Sequence, residues 1–330
     1  MNASRRSFIA GCTAAFAASP WPVMGQATRL PLETAHVMCG YPAGGSIDVV
    51  CRAVAAAMGG RYARTMLVDN KPGAAGRLAV EEVKRSTPDG SSMLITPASV
   101  LTMYPHVYKS LTYDPLIDLL PVSMVASFGF VLVVGPKVPS SVVGLDDFFA
   151  WCKTNPATAD CGNAGAGSLP HFMAVLLAQD AGVELTHVPY KGSLAALLDA
   201  AAGQVSAVFA TEPSALPLLQ AGRVRALATS WETRSPFQPL VPTFNERGLA
   251  RLTQREWFGA FMPGGATASM VDFASTELAA ASRVGAVRDT LHKSALHPEG
   301  STSQELQLAL RAEHAFWKPI VKASSFTPES

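Results

Sequence analysis

From residue 35 onward, short apolar runs alternate with stretches in which apolar residues recur at helical spacing. A strand that must pair in parallel with the next needs a long crossover, and a helix is the usual one. This alternation therefore restricts the chain to an α/β architecture with a largely parallel sheet covered by helices. AHVMCG reads as the first strand. Val49, Val50, Ala53, Val54, Ala57 and Met58 then mark a helix, with Ser46 placed to cap its start and Gly59-Gly60 to end it. TMLVDN, GRLAVEEVKRS and SSMLIT continue as strand, helix and strand. After PVSMVASFGFVLVVGP a second series begins: GLDDFFAWCKTNP as a helix, LTHVPYKGSLAALLDAAAGQVSAVFA as strand, capped helix and strand, EPSALPLLQAG as a helix with Pro213 in its first turn and Gly222 at its end, and RVRALAT as a strand. The C-terminal third, with EWFGAFMPGG as a strand and helices near 268–284 and 303–315, reads as a return to the first domain.

With 48% hydrophobic and 15% charged residues among 330, the chain is long and apolar enough for two packed domains. The 26 basic and 25 acidic residues nearly cancel, so there is no basic field to recruit nucleic acid or a membrane surface. The N-terminus reads as an export signal over residues 1–27. SRRSFIAGCTAAFAA carries two arginines ahead of an apolar run too short to span a bilayer, and the small-residue site Gly25-Gln26-Ala27 follows. Ser4-Arg5-Arg6-Ser7-Phe8-Ile9 fits a twin-arginine pattern. Loss of this segment removes Arg5 and Arg6 from 26 bases against 25 acids and leaves a net charge of −1. Cys39, Cys51, Cys152 and Cys161 remain in a compartment where disulfides persist; their spacing is not a zinc pattern. A Cys152–Cys161 bridge is the expected pairing, with Cys39–Cys51 the alternative.

Two loops share one grammar. CGYPAGGSIDVV (39–50) and CGNAGAGSLPHF (161–172) each pass from Cys-Gly through glycines to Gly-Ser and an apolar periodic run. A helix start leaves backbone N–H groups without intrahelical partners and carries about half a positive charge, which makes it an anion site. Gly44, Gly45, Gly165 and Gly167 let the backbone approach a ligand, while Ser46 and Ser168 supply hydroxyls. Neither loop has the Lys-Ser/Thr of a phosphate loop or a G-x-G-x-x-G after a strand, so no nucleotide cofactor is indicated. Ser168 and His171 are close enough to raise an exported serine hydrolase as an alternative, but no G-x-S-x-G surrounds the serine.

YPAGGSIDVV, VDNKPGAAGRLAVEEVKRSTPDGSSMLI, YPHVYKSLTYDPLIDLLPVSMVA, THVPYKGSLAALLDAAAGQVSAVF, PSALPLLQAGRVRALATS and VPTFNERGL together resemble the Bug family of periplasmic solute-binding proteins, which are associated with tripartite tricarboxylate transporters. The resemblance covers nearly the whole mature chain. It implies a non-catalytic receptor of the two-domain periplasmic-binding-protein fold, type II-like, with the ligand in an interdomain cleft that closes about a hinge. The expected division is 28–125 and 231–330 in one domain and 126–230 in the other. It also implies that Tyr41, Pro42, Ala43, Gly44, Gly45, Ser46 and Asp48 hold a ligand carboxylate. The other side of the ligand would meet Gly165, Ala166, Gly167, Ser168, His171, Tyr190, Lys191, Ala210 and Thr211. Many members have an Asp where this chain has Ala210, which weakens the place for a ligand ammonium and favours a non-amino mono- or dicarboxylate, aromatic ones included. Phe128 and Phe130 could stack on such a ring. The implied partners are transporter membrane subunits, or a membrane sensor kinase if the chain acts as a sensor; the protein itself is expected to be a monomer.

Overall fold

The computed structural model describes residues 32–323. β1 (Leu32–Cys39), α1 (Ser46–Met58), β2 (Ala63–Asn70), α2 (Arg77–Arg85) and β3 (Ser92–Pro97) come first. Two short helices, α3 (Ala98–Thr102) and α4 (Tyr104–Val107), lead to the long β4 (Leu119–Val134). The next series is α5 (Leu145–Thr154), β5 (Asp160–Asn163), α6 (Leu169–Ala181), β6 (Thr186–Pro189), α7 (Ser193–Ala201), β7 (Ala207–Thr211), α8 (Glu212–Gln220) and β8 (Arg225–Thr229). The chain returns through β9 (Arg255–Pro263), α9 (Ala268–Ser282), α10 (Gly285–Lys293), β10 (His297–Pro298) and α11 (Ser303–Ala323).

β4 organises the molecule. Leu119 to Gly129 pair antiparallel with β9, which in turn pairs with β3 of the parallel set β2-β1-β3, and β10 takes the other edge at Ala126 and Ser127. From Phe130 to Val134 the same strand pairs instead with β7 and β8, and β7 leads on to the parallel β5 and β6. One strand thus serves two sheets, with the changeover at Gly129/Phe130. Both of its faces are covered, and its sequence is correspondingly apolar for most of its length, with Ser123 and Ser127 buried within it. The second crossing between the lobes is the segment after β8. Ser230 and Phe130 exchange two bonds, Ser230 N–H to Phe130 O at 2.9 Å and Phe130 N–H to Ser230 Oγ at 2.8 Å, before the chain enters β9.

The large core runs through both lobes, and a smaller apolar cluster of Val131, Val133, Leu197, Val208 and Ala210 lies beneath α7 and α8. Phe128 and Phe130 are both buried and pack edge-on against each other at 5.8 Å, with Phe258 tilted over Phe128 at 5.1 Å. They are core residues here, not a platform for a bound ring. Cys39, Cys51, Cys152 and Cys161 are all buried free thiols, so the expected Cys152–Cys161 bridge is not formed. The export signal at 1–27 lies outside the described residues, among which no helix is long and apolar enough to cross a membrane.

Candidate functional site

The parallel strands β1, β5 and β7 end in loops that start α1, α6 and α8, which is where open α/β sheets place ligands. In the first loop Gly45, not Ser46, is the N-cap of α1, and it is extended at φ −75°, ψ 165°. The left-handed residue is Gly44 at φ +86°. Both residue types suit an N-cap, so the one-residue slip has a simple origin. Pro42, Ala43, Gly44 and Gly45 are exposed, and Tyr41 is half-buried with its hydroxyl donating to Ala75 O at 3.3 Å.

Asp48 lies beneath this loop, not on it. Its carboxylate is buried and accepts from Gly44 N–H (2.9 Å), Arg52 Nε (2.9 Å) and Asn70 Nδ2 (2.8 Å). Asn70 also donates to Tyr41 O at 3.1 Å, so the β2 end ties down both ends of the turn. Burial by itself would raise the Asp48 pKa, but the bonds from Arg52, Gly44 and Asn70 outweigh it and hold the carboxyl below the ordinary carboxylate range. Asp48 is in this way the post on which Gly44 is fixed.

The second loop is built on the same plan with different residues. Gly165 (φ +150°) and Gly167 (φ +73°) take conformations open to glycine. Gly165 N–H donates to Asn163 Oδ1 at 3.1 Å and Gly167 N–H to His171 Nδ1 at 3.0 Å. Ser168 is the N-cap of α6, yet its hydroxyl donates back to Gly165 O at 2.6 Å instead of capping the helix. Ala166 alone of these residues is fully exposed at the loop tip. With the Ser168 hydroxyl and His171 Nδ1 both committed to the loop backbone, the hydrolase alternative lacks its nucleophile–base pair.

Around these loops, Tyr190 donates from its hydroxyl to Asp199 at 3.0 Å, and burial followed by that carboxylate pushes the phenol up to about 12. Lys191 is exposed. Thr211 Oγ1 donates to Ser214 Oγ at 2.8 Å and Thr211 N–H approaches Ser193 Oγ at 3.5 Å. Ala210 pairs with Val131 and is wholly buried in the smaller apolar cluster. Glu212, two residues on, does not stand in for a cleft acid. Its Oε2 accepts from Trp231 Nε1 at 2.8 Å, and its Oε1 is buried without a partner among the described residues.

A cavity of about 290 Å³ joins the first loop to the start of α8, lined by Gly44, Ser46, Val49, Pro213, Gln220 and Lys293. Lys293, at the end of α10, was not foreseen: nothing in its local sequence signals that the helix end returns to the first loop. The Gly165–His171 loop is not part of this cavity's wall. A second carboxyl, Glu256, is also buried; it accepts from Ser99 N–H at 2.8 Å, and burial pushes it up to about 8.

Two lobes joined by two crossings, with glycine loops at the strand ends, define a two-domain solute-binding protein of the periplasmic type. The family model for the tripartite tricarboxylate transporter family receptor matches residues 50–326, and the chain belongs to that family. Protein BugT of Bordetella pertussis is 28% identical over 323 residues, covering 98% of each chain. The solved structure of R. palustris Rpa4515 with adipate superimposes with a TM-score of 0.81 at 29% identity, covering 90% of this chain and 98% of that one. MatC from Rhodopseudomonas palustris with bound malate gives 0.76 at 25% identity, covering 88% and 99%. The family consists of periplasmic binding receptors, not enzymes.

Proposed function

We propose that this protein captures a small organic carboxylate between its two lobes and passes it to the membrane subunits of a tripartite transporter. The observation that carries the reading is the pair of glycine loops at helix starts, each with its backbone fixed from behind by polar side chains that take up one or two of its N–H groups: Gly44 on Asp48, Gly165 on Asn163, Gly167 on His171. Loops 42–48 and 165–171 contain no Lys or Arg. The loops themselves offer an anion amides, hydroxyls and helix starts, with Lys293 on the cavity wall beside the first loop, a set suited to a carboxylate more than to a polyphosphate. Pro42 to Ser46 form one wall and Gly165 to Ser168 the other, with Tyr41, Tyr190, Lys191 and Thr211 at the margins. Asp48, His171 and Ala210 act behind the wall. The adipate and malate carried by the two similar structures support the same ligand class. Ala210 has no charge and Glu212 is held by Trp231, so the reading favours a non-amino carboxylate over an amino acid.

Closure is assigned to Gly129/Phe130 and Ser230, with the residues up to Gly129 and from 231 onward moving against 130–230 as a monomer, the first crossing falling four residues beyond the expected 125/126 boundary. Residues 1–27 direct export through the twin-arginine route, and Arg5→Lys with Arg6→Lys should leave precursor in the cytoplasm. Hand-off to a sensor kinase instead of a transporter would use the same closed form.

A thermal-shift panel tests the ligand class. Saturation at a hundredfold excess over Kd stabilises by about 2.7 kcal/mol. At roughly 2–4 °C per kcal/mol for domains of this size, adipate or malate should raise Tm by about 5–10 °C. The corresponding amides and amino acids should raise it less. A panel in which only amino acids or sugars move the transition would sink the carboxylate reading while leaving the fold intact.

A further inference from the structure

The second loop rests on three side chains that its own sequence does not announce as a unit. Gly165 N–H can only donate, so the Asn163 atom facing it is Oδ1, which fixes the amide orientation. Asn163 Nδ2 therefore points to His187 Nδ1 at 2.5 Å, and that nitrogen must be an acceptor. Gly167 N–H likewise fixes His171 Nδ1 as an acceptor. Both imidazoles are neutral with their proton on Nε2. They stack face to face with centroids 3.8 Å apart and planes 18° apart, so a charge on one opposes a charge on the other.

We propose that Asn163, His187 and His171 form a positioning relay that holds the shape of the Gly165–Ser168 loop for the ligand by taking up the N–H groups of Gly165 and Gly167, and lets the loop go when an imidazole is protonated at Nδ1. The proposal rests on the reading that this loop holds the carboxylate. A proton on His171 Nδ1 turns the acceptor of the Gly167 amide into a donor. One on His187 Nδ1 forces Asn163 to flip and present Oδ1 to the ring, which leaves Nδ2 facing the Gly165 N–H, donor against donor. Either event dismantles the loop from behind, with no contact to ligand.

The environment keeps the relay neutral. Burial, then the neighbouring His187, lowers the His171 pKa to about 4, and burial lowers that of His187. The other titratable group facing the pair is Cys161 of β5, opposite His187 in register and pushed by burial up to about 12. Asp180, further along α6, is held by Arg251 at 2.6 Å. A cavity of about 240 Å³, lined by Cys161, His171, Leu185 and His187, borders the pair.

Two measurements on the full mature chain decide it. In ligand-free protein, the ¹⁵N–¹H signal of Gly167 should titrate well below the ordinary histidine range, near 4, and in His171→Asn, whose amide oxygen replaces Nδ1 but takes no proton, it should stay in place. Gly165 should respond in the same way to His187→Asn. For adipate binding by calorimetry, the affinity of His171→Asn should fall less between pH 7 and pH 4 than that of the wild type; comparing the two proteins at each pH cancels protonation of adipate itself. His171→Leu should bind about tenfold more weakly at pH 7, the worth of one buried hydrogen bond. A Gly167 signal that is flat from pH 7 to 4, or that titrates equally in His171→Asn, would overturn the relay. Failure of the wild type to bind adipate or malate would count against the carboxylate reading, and the amide titrations would still judge the relay.

Discussion

Gly129 occupies the point where β4 leaves one sheet for the other, and an added methyl there tests how the lobes are joined. A Cβ on Gly129 would lie 2.4 Å from Trp231 Nε1 and 2.6 Å from Cδ1. Ordinary carbon contacts need about 3.5 Å or more, so the indole must move by about 1 Å. That movement breaks the Trp231–Glu212 hydrogen bond and takes the donor from a buried carboxylate oxygen. Overpacking costs about 1–3 kcal/mol and an orphaned buried acceptor about 1–3 kcal/mol. Gly129→Ala should therefore lower stability by about 2–6 kcal/mol, a Tm drop on the order of 5–15 °C. Trp231→Phe removes the donor and keeps most of the ring, at about 1–3 kcal/mol. Because both changes destroy the same bond, the double variant should fall short of the sum by at least about 1 kcal/mol. The pH dependence has a fixed sign. Burial, against Ser235 and Trp231, raises the Glu212 pKa in the fold. A raised carboxyl favours the fold below its unfolded pKa, and that contribution is lost as pH rises through the folded value. Trp231→Phe takes away a donor that favours the charged form, so its cost should be larger at pH 7 than at pH 4. Urea unfolding at the two pH values measures all of this. Additivity of the two substitutions within about 0.5 kcal/mol, or an unchanged Tm in Gly129→Ala, would refute the coupling.

Gly44→Val forces a β-branched residue to φ +86°, whereas Gly45→Val meets only Pro42 O at 3.5 Å in an extended backbone. Calorimetry with adipate should show the greater loss of affinity at Gly44, and the reverse order would show that the turn geometry is not what holds the anion. Asp48→Ala should destabilise by about 2 kcal/mol at pH 7. Since the Asp48 pKa is lowered in the fold, this stabilisation is present above the unfolded value near 3.8 and lost as pH falls through the folded one, so urea midpoints of wild type and variant should converge as pH falls below the unfolded value. Chain lacking residues 1–27 should show four thiols after denaturation under non-reducing conditions and hardly any before it; two would mean that one buried pair has oxidised.

The strands and long helices were legible because they carry a continuous apolar run or a helical stripe, as in β9, buried at every position after Arg255, and α1. α10 was not read: GAVRDTLHK begins with glycine and buries only Val287 and Leu291, too short a stripe to register as a period. β10 and the short α3 and α4 give even less signal. In the site, the glycine loops could be read from strand–glycine–helix order, which is local. Their supports could not. Arg52 is an ordinary i,i+4 partner of Asp48, but Asn70 reaches the first loop from the end of β2, and His187 reaches the second from β6, 24 residues beyond Asn163. Such pairings follow from sheet order, which places β2 beside β1 and β6 beside β5, not from any spacing within the chain.

The displaced acid shows how a small change of position along the chain becomes a change of role. Were residues 210 and 212 in one strand, their side chains would share a face, and Glu212 could serve the place left by Ala210. The strand ends at Thr211, however, and Glu212 is the first residue of α8. There the two-residue alternation no longer applies. The Glu212 side chain points away from the glycine loops, to Trp231, the indole that covers Gly129 on the crossing strand. A helix start tolerates an acid well, so the residue costs little where the backbone is concerned, and its burial is offset by the indole N–H. The negative charge that would repel a carboxylate or attract an ammonium is thereby removed from the cleft wall, and the same carboxyl becomes a tie between α8 and the segment that crosses from one lobe to the other. On the proposed reading, ligand preference and lobe coupling would both follow from the acid standing at 212 and not at 210.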